Sequence, residues 1–319
     1  MGLFSFLKSE NPTQEIIDSG FEICSCENSE GCGKFPPSVK FNDDDSKTLW
    51  NTTKPYGLHC IISTGKTDWN HNAIDTKGSL EHKVDQWASS YKFPDGDIKV
   101  SVSSLPTDPL DDSASGDILL LPFFVWVRNV SPSHVHEVLN RLIPQLIQER
   151  DLALQQAPEE QTKTNQPENG VATNPALGAS KPPPFVSPDY LNDKSNVHVV
   201  TENSYAFLFL CSHRTRDKRC GITAPIMKKE FEICLREMDK YRDVGDDRPG
   251  GVRIAFINHV GGHKYAANVL IYLKNSGKNI WLARCSPSNV KPIVEQTILH
   301  GKVWPEKVRI VQKFKGIEW

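Results

Sequence analysis

Several things are scarce in this sequence, and each scarcity excludes a class of protein. No charge of either sign is in excess: 37 Lys and Arg stand against 39 Asp and Glu in 319 residues, a net of −2. Nothing in that balance calls for nucleic acid or an anionic membrane as partner. No apolar run approaches the ~18 residues needed to span a bilayer. The opening segment, Met1–Glu10, lacks the apolar stretch of a secretory signal and the Arg-rich, acid-poor character of a mitochondrial presequence. Phe6 stands where N-myristoylation requires Ser or Thr. A cytoplasmic location is therefore expected. Phosphate-loop and dinucleotide fingerprints are missing, since Gly250-Gly251 and Gly261-Gly262 have neither spacing. Cysteine is modest too. Eight in 319 residues (24, 26, 32, 60, 211, 220, 234 and 285) do not make a dense disulfide framework. In a reducing compartment, grouped cysteines point instead to metal or redox chemistry.

Composition divides the chain into residues 1–150, a segment over 151–190, and residues 191–319. The middle segment is rich in Pro, Gln, Asn, Thr and Ala and poor in aromatic or branched apolar residues, the composition of a disordered linker. In the C-terminal part, Ser204–Leu210 reads as a buried strand, Thr223–Tyr241 as a helix and Val252–Asn258 as a second strand. Asn268–Leu273 and Asn279–Ala283 flank a hairpin-like Asn275-Ser276-Gly277, and Asn289–His300 reads as a closing helix. The N-terminal part repeats the pattern: strand Leu58–Ser63, helix Ser79–Ser90, strand Ile98–Leu105, buried strand Ile118–Val127 and helix His134–Gln148. The fold expected is α/β, with a β-α-β-β-α order in each part. That order suggests two thioredoxin-like halves, a tandem duplication joined by the linker.

One constellation carries chemistry. Cys211 falls at the end of a predicted strand, and Cys220 follows across the basic loop SHRTRDKR, just before Gly221 and the next helix. His259 ends another predicted strand, and His263 follows across Val260-Gly261-Gly262. All four sit on loops leaving C-terminal strand ends, where α/β sheets gather their sites. Glycine at 261 and 262 permits the tight turn that two imidazoles facing one centre require. Two cysteines and two histidines suit zinc as well as an iron–sulfur cluster, although structural zinc usually takes cysteines two to four residues apart. A redox dithiol at Cys211 and Cys220 is a third reading, and four unrelated turn residues a fourth. Cys24, Cys26 and Cys32 would need a further ligand, His59 or Cys60, to bind metal. The first half has no pair matching the Cys/His set, because its third strand runs into Ser103-Ser104-Leu105-Pro106.

The motifs CSHRTRDKRCG and HVGGHKYAANV resemble those of the sucrase/ferredoxin-like family, within the thioredoxin-like ferredoxins. The resemblance spans the chain, including the low-complexity segment. It implies a [2Fe–2S] cluster held by Cys211, Cys220, His259 and His263, with histidines replacing the second cysteine pair of other members. Two thiolates on one iron and two imidazoles on the other would raise the potential, as in Rieske centres (about −150 to +300 mV against about −400 mV for plant-type clusters). Protons on the free imidazole nitrogens could couple to the electron. The implied activity is cytosolic electron transfer rather than catalysis on a substrate of its own, with a reductase using the cluster as a relay as the alternative. The terminal Ile317-Glu318-Trp319 resembles the tail by which client proteins dock on the cytosolic iron–sulfur targeting machinery.

Overall fold

The computed structural model describes residues 12–41, 49–107, 115–156 and 197–315; the expected linker lies almost wholly outside them, as do residues 316–319. A short helix α1 (Pro12–Asp18) buries Ile16. Then come β1 (Leu58–Ser63), α2 (Leu80–Ser90), β2 (Ile98–Ser103), β3 (Gly116–Leu121), β4 (Val125–Val130), α3 (Val135–Gln156) and β5 (His198–Thr201). The second half runs β6 (Ala206–Cys211), α4 (Lys218–Glu237), β7 (Tyr241–Arg242), β8 (Val252–Ile257), β9 (Val269–Leu273) and β10 (Lys278–Leu282). After it come a helical stretch over 287–298 and β11 (Val308–Lys313).

Helix α2 forms where periodicity places it. Ser79 caps it by accepting the His82 N–H, and Leu80, Val84 and Trp87 are its buried stripe. Four expectations are corrected. Ile118–Val127 is two strands, because Pro122 has no N–H to extend a ladder and Phe124 takes a left-handed φ of 52° to reverse the chain. Helix α4 starts at Lys218 rather than Thr223, because Asp217 accepts the Arg219 N–H as its cap. The closing helix changes pitch, with a 3-10 turn at Pro287–Asn289, an α turn (α5, Val290–Pro292) and a π-helical Ile293–Ile298. Strands β5 and β11 extend each half beyond the expected order.

The strands form one sheet in the order β11-β10-β9-β6-β8-β2-β1-β3-β4-β5, with β7 pairing the start of β8. The order β2-β1-β3-β4-β5 in the first half recurs as β8-β6-β9-β10-β11 in the second. The halves meet where β2 and β8 run antiparallel, paired at Ser103 and Ile257. Side chains extend this short ladder: Ser103 Oγ donates to the Phe256 carbonyl (2.7 Å), the Phe256 N–H donates to Ser104 Oγ (2.9 Å), and the Val102 N–H donates to Asn258 Oδ1 (3.1 Å).

Burial on both faces explains the continuous apolar strands. In β1, Leu58, Cys60 and Ile62 join the apolar cluster beneath the helices, while Ile61 joins a second, inner cluster. In β6, Ala206, Leu208 and Leu210 face the helices, and Phe207, Phe209 and Cys211 face inward. The inner cluster unites strands distant in the sheet. Trp126 on β4 and Phe207 on β6 are five strand spacings apart, about 24 Å in a flat sheet, yet their ring centroids lie 6.4 Å apart. The sheet therefore folds over its own inner face, giving helix, sheet, sheet and helix layers. Tyr56 and Tyr272 share a hydrogen bond of 2.5 Å across the interior, and His59 joins it at 2.6 Å.

Candidate metal centre

The site stands where β6 and β8 end, beside the junction of the two halves. Alternation along β6 puts Cys211 on the inner face, and its N–H donates to the Asn268 carbonyl (3.2 Å). The chain then turns through Ser212–Asp217 into α4. Cys220 is the third residue of that helix rather than a loop residue preceding it, and it is fully buried. Gly221 is required there: a Cβ would stand 2.4 Å from that of Arg214, whose stem lies across the helix start. His259 follows two residues after β8.

These three side chains converge. Cys211 Sγ and Cys220 Sγ are 3.4 Å apart, and His259 Nδ1 lies 3.7 Å from the first and 3.9 Å from the second. No other group of three such donors occurs among the described residues. Cys220 donates its S–H to Cys211, which holds the Cys211 thiol below its ordinary range against the effect of burial; the N–H groups of Val260 and His213 add to this. Cys220, as the donor and a buried group, is pushed up. The start of α4 adds the positive end of a helix dipole beside Cys220. Of the four expected ligands, the imidazole of His263 lies outside the described side chains; its backbone opens a 3-10 turn, His263–Tyr265.

The donor set fits a soft or borderline metal, since thiolate with imidazole suits both zinc and iron–sulfur centres. Two thiolates on one tetrahedral metal at about 2.3 Å would stand roughly 3.8 Å apart, near the separation seen.

The first half contributes a clamp that sequence reasoning missed. Its loop between β1 and α2 lies against the cysteine loop. Ser212 Oγ donates to the Thr67 carbonyl (2.7 Å), and Asp68 accepts from the Thr215 N–H (3.1 Å) and hydroxyl (2.8 Å). Arg216 reaches His71 at 3.0 Å. His213 ties the two ligand segments together. Its Nδ1 accepts the His259 N–H (3.2 Å), so the ring proton belongs on Nε2, which donates to the carbonyls of Trp69 (3.1 Å) and Asn70 (2.9 Å). Burial holds this imidazole below its ordinary range, as a neutral ring. In the sequence, His213 was only one polar letter of a basic loop.

Among the described residues, the remaining cysteines do not assemble a second such group. Cys24 and Cys26 are joined as a disulfide. The supporting ligands considered for them are engaged elsewhere: Cys60 packs beneath the helices, and His59 bonds Tyr272 and Ser101 in the interior. Cys234 and Cys285 are buried. Among the described residues, no helix is long and apolar enough to cross a membrane.

Comparison with known proteins places this chain in a family. Actin patches distal protein 1 of Saccharomyces cerevisiae is 35% identical over 323 residues, covering 97% of this chain and 89% of that protein. Altered inheritance of mitochondria protein 32 of Meyerozyma guilliermondii is 34% identical over 102 residues, and that of Clavispora lusitaniae 35% over 102 residues. Each of those matches takes in 32% of this chain and 33% of the relative. No solved structure matches. The sucrase/ferredoxin-like pattern matches residues 49–310, most of both halves, and the chain belongs to the sucrase/ferredoxin-like family.

Proposed function

We propose that this protein is a cytoplasmic electron carrier whose [2Fe–2S] cluster is held by Cys211, Cys220, His259 and His263. The observation that carries the reading is the convergence of two buried cysteines and His259 at the junction of the halves. The family's ferredoxin-like character and the similarity to actin patches distal protein 1 support it. A bound cluster supplies one-electron chemistry, at a potential that imidazole ligation raises. The chain's own residues do the rest. Cys211 and Cys220 bind as thiolates, the former steadied by the N–H groups of Val260 and His213. His213 fixes the backbone of His259, and burial of both sulfurs excludes water. Replacing His259 or His263 by Cys should lower the midpoint potential of the iron-loaded chain; an unchanged potential removes that histidine from the set.

A second reading rests on a specific observation. His259 Nδ1 lies within 4 Å of both sulfurs, which is the compactness of one tetrahedral ion rather than two irons. Zinc in a structural site is that reading. For the iron cluster, the imidazole of His259 has to swing away from the sulfurs.

Two further points belong to this proposal. The shared strand order supports a tandem duplication of thioredoxin-like halves; an experimental structure whose halves fail to superpose, strand on strand, would remove that idea. Residues Ile317, Glu318 and Trp319 would serve as the docking tail for cytosolic cluster delivery. Deleting Trp319 should then lower cluster occupancy in cells and leave reconstitution in vitro intact, whereas equal occupancy in cells counts against it.

A further inference from the structure

Arg309, on β11, is 1% exposed and, among the described residues, has no carboxylate partner. Its Nε donates to Thr52 Oγ1 (3.0 Å), Nη2 to the Thr52 carbonyl (2.8 Å), and Nη1 to Asn268 Oδ1 (3.0 Å) and the Val260 carbonyl (3.3 Å). Every acceptor is neutral. The guanidinium also lies over the rings of Tyr265 (4.2 Å) and Trp281 (5.3 Å). Another charged group close enough to act on it, Lys99, is itself a cation. A buried charge without a counter-charge costs several kcal/mol, so something should balance it.

The geometry indicates what does. Arg309 lies beneath the loop from His259 to His263. Gly261 is glycine because a Cβ there would stand 2.2 Å from Nη1. Val260 connects the two sites, with its N–H serving Cys211 and its carbonyl accepting from Arg309. Asn268 does the same from the other side: its carbonyl accepts the Cys211 N–H, and its side-chain oxygen accepts from Arg309 and from Trp281. Burial works against the charge on the guanidinium, while Tyr265 and Cys211 are both close enough to favour it. Thiolates bound to a metal would supply negative charge permanently.

We propose that Arg309 is the counter-cation of the metal centre: a positioning residue that braces the His259–His263 loop and stabilises the centre's negative charge without touching the metal. The proposal rests on the metal-binding reading above but not on which metal is bound. For an iron cluster, the reduced form carries one more negative charge, so Arg309 would favour reduction.

The test uses the full chain as purified, in three versions: wild type, Arg309→Gln and Arg309→Lys. Gln keeps hydrogen-bonding capacity without charge, and Lys keeps the charge. Transfer of bound metal to a chelator should be at least tenfold faster for Arg309→Gln, with Arg309→Lys much closer to wild type. In iron-loaded chains, Arg309→Gln should also shift the one-electron equilibrium at least tenfold toward the oxidised form, about 59 mV. If Arg309→Gln does not fold, Asn268→Asp gives the guanidinium a carboxylate partner and should act in the same direction. Equal release rates in wild type and Arg309→Gln, or equal acceleration in Gln and Lys, overturn the assignment of Arg309 alone. A wild-type chain that carries no metal and takes up neither iron nor zinc overturns the metal-binding reading, and this proposal with it.

Discussion

The ends of β1 and β6 occupy matching places in two halves with one strand order, and only that of β6 carries the Cys/His group. Strand β6 closes on Cys211, followed by a short turn into α4 that brings Cys220 to its side. Strand β1 closes on Ser63, and the chain takes a longer loop, 64–79, before α2. That loop holds no sulfur; its residues Thr67–His71 grip the cysteine loop of the other half instead. The neighbouring strands differ in the same way. After β8 comes His259, whereas after β2 come Ser104 and Leu105, with Ser103 and Ser104 joining the sheet to β8. The first half thus braces a Cys/His group that lies wholly in the second.

The largest effect that should break this arrangement lies in the layer between the halves. Phe207→Ala removes a ring that stacks on Phe209 and touches Phe124 and Trp126 of the other half. It should cost about 3–5 kcal/mol and lower stability in both halves together, seen as one shifted transition by circular dichroism and tryptophan fluorescence. Separate transitions, with the N-terminal half unaffected, would mean the halves are independent bodies. His213→Ala leaves the His259 N–H and the Trp69 and Asn70 carbonyls without their partner. A loss of roughly 2–3 kcal/mol is expected from buried groups left unpaired, together with faster metal loss to a chelator. Wild-type metal retention in this variant would show that the clamp does not serve the site. The smallest effect sharpens the contrast. Ser63 Oγ is buried with no hydrogen-bond partner among the described residues, so Ser63→Ala should leave stability within about 1 kcal/mol of wild type, or raise it. A larger loss in chemical denaturation would give Ser63 a role of its own.

Much of this was legible in residue order, because both the strands and the site use local signals. Leu58–Ser63 reads as a buried strand at its observed bounds, since both its faces are covered. Cys211, Cys220 and His259 stand out by type, Cys211 and His259 also by their place at strand ends, and the fold brings them together. What was not legible depends on contacts between segments far apart in the chain. No periodicity announces that Asp68 will bond Thr215, or that Arg309 will lie beneath Val260. The single-sheet junction is equally hidden, because β2 and β8 meet through serine and asparagine side chains rather than through a long ladder. The early start of α4 was missed because its cap, Asp217, sits among basic residues that read as loop.

We propose that this Cys/His group holds a [2Fe–2S] cluster. Iron, zinc and acid-labile sulfide measured on freshly purified full-length chain, with EPR after reduction, test it most directly. The expected result is a reddish protein with iron and sulfide in equal amounts, two of each per chain, and a reduced signal unlike that of an all-cysteine cluster. A colourless protein with one zinc per chain and no sulfide would contradict it.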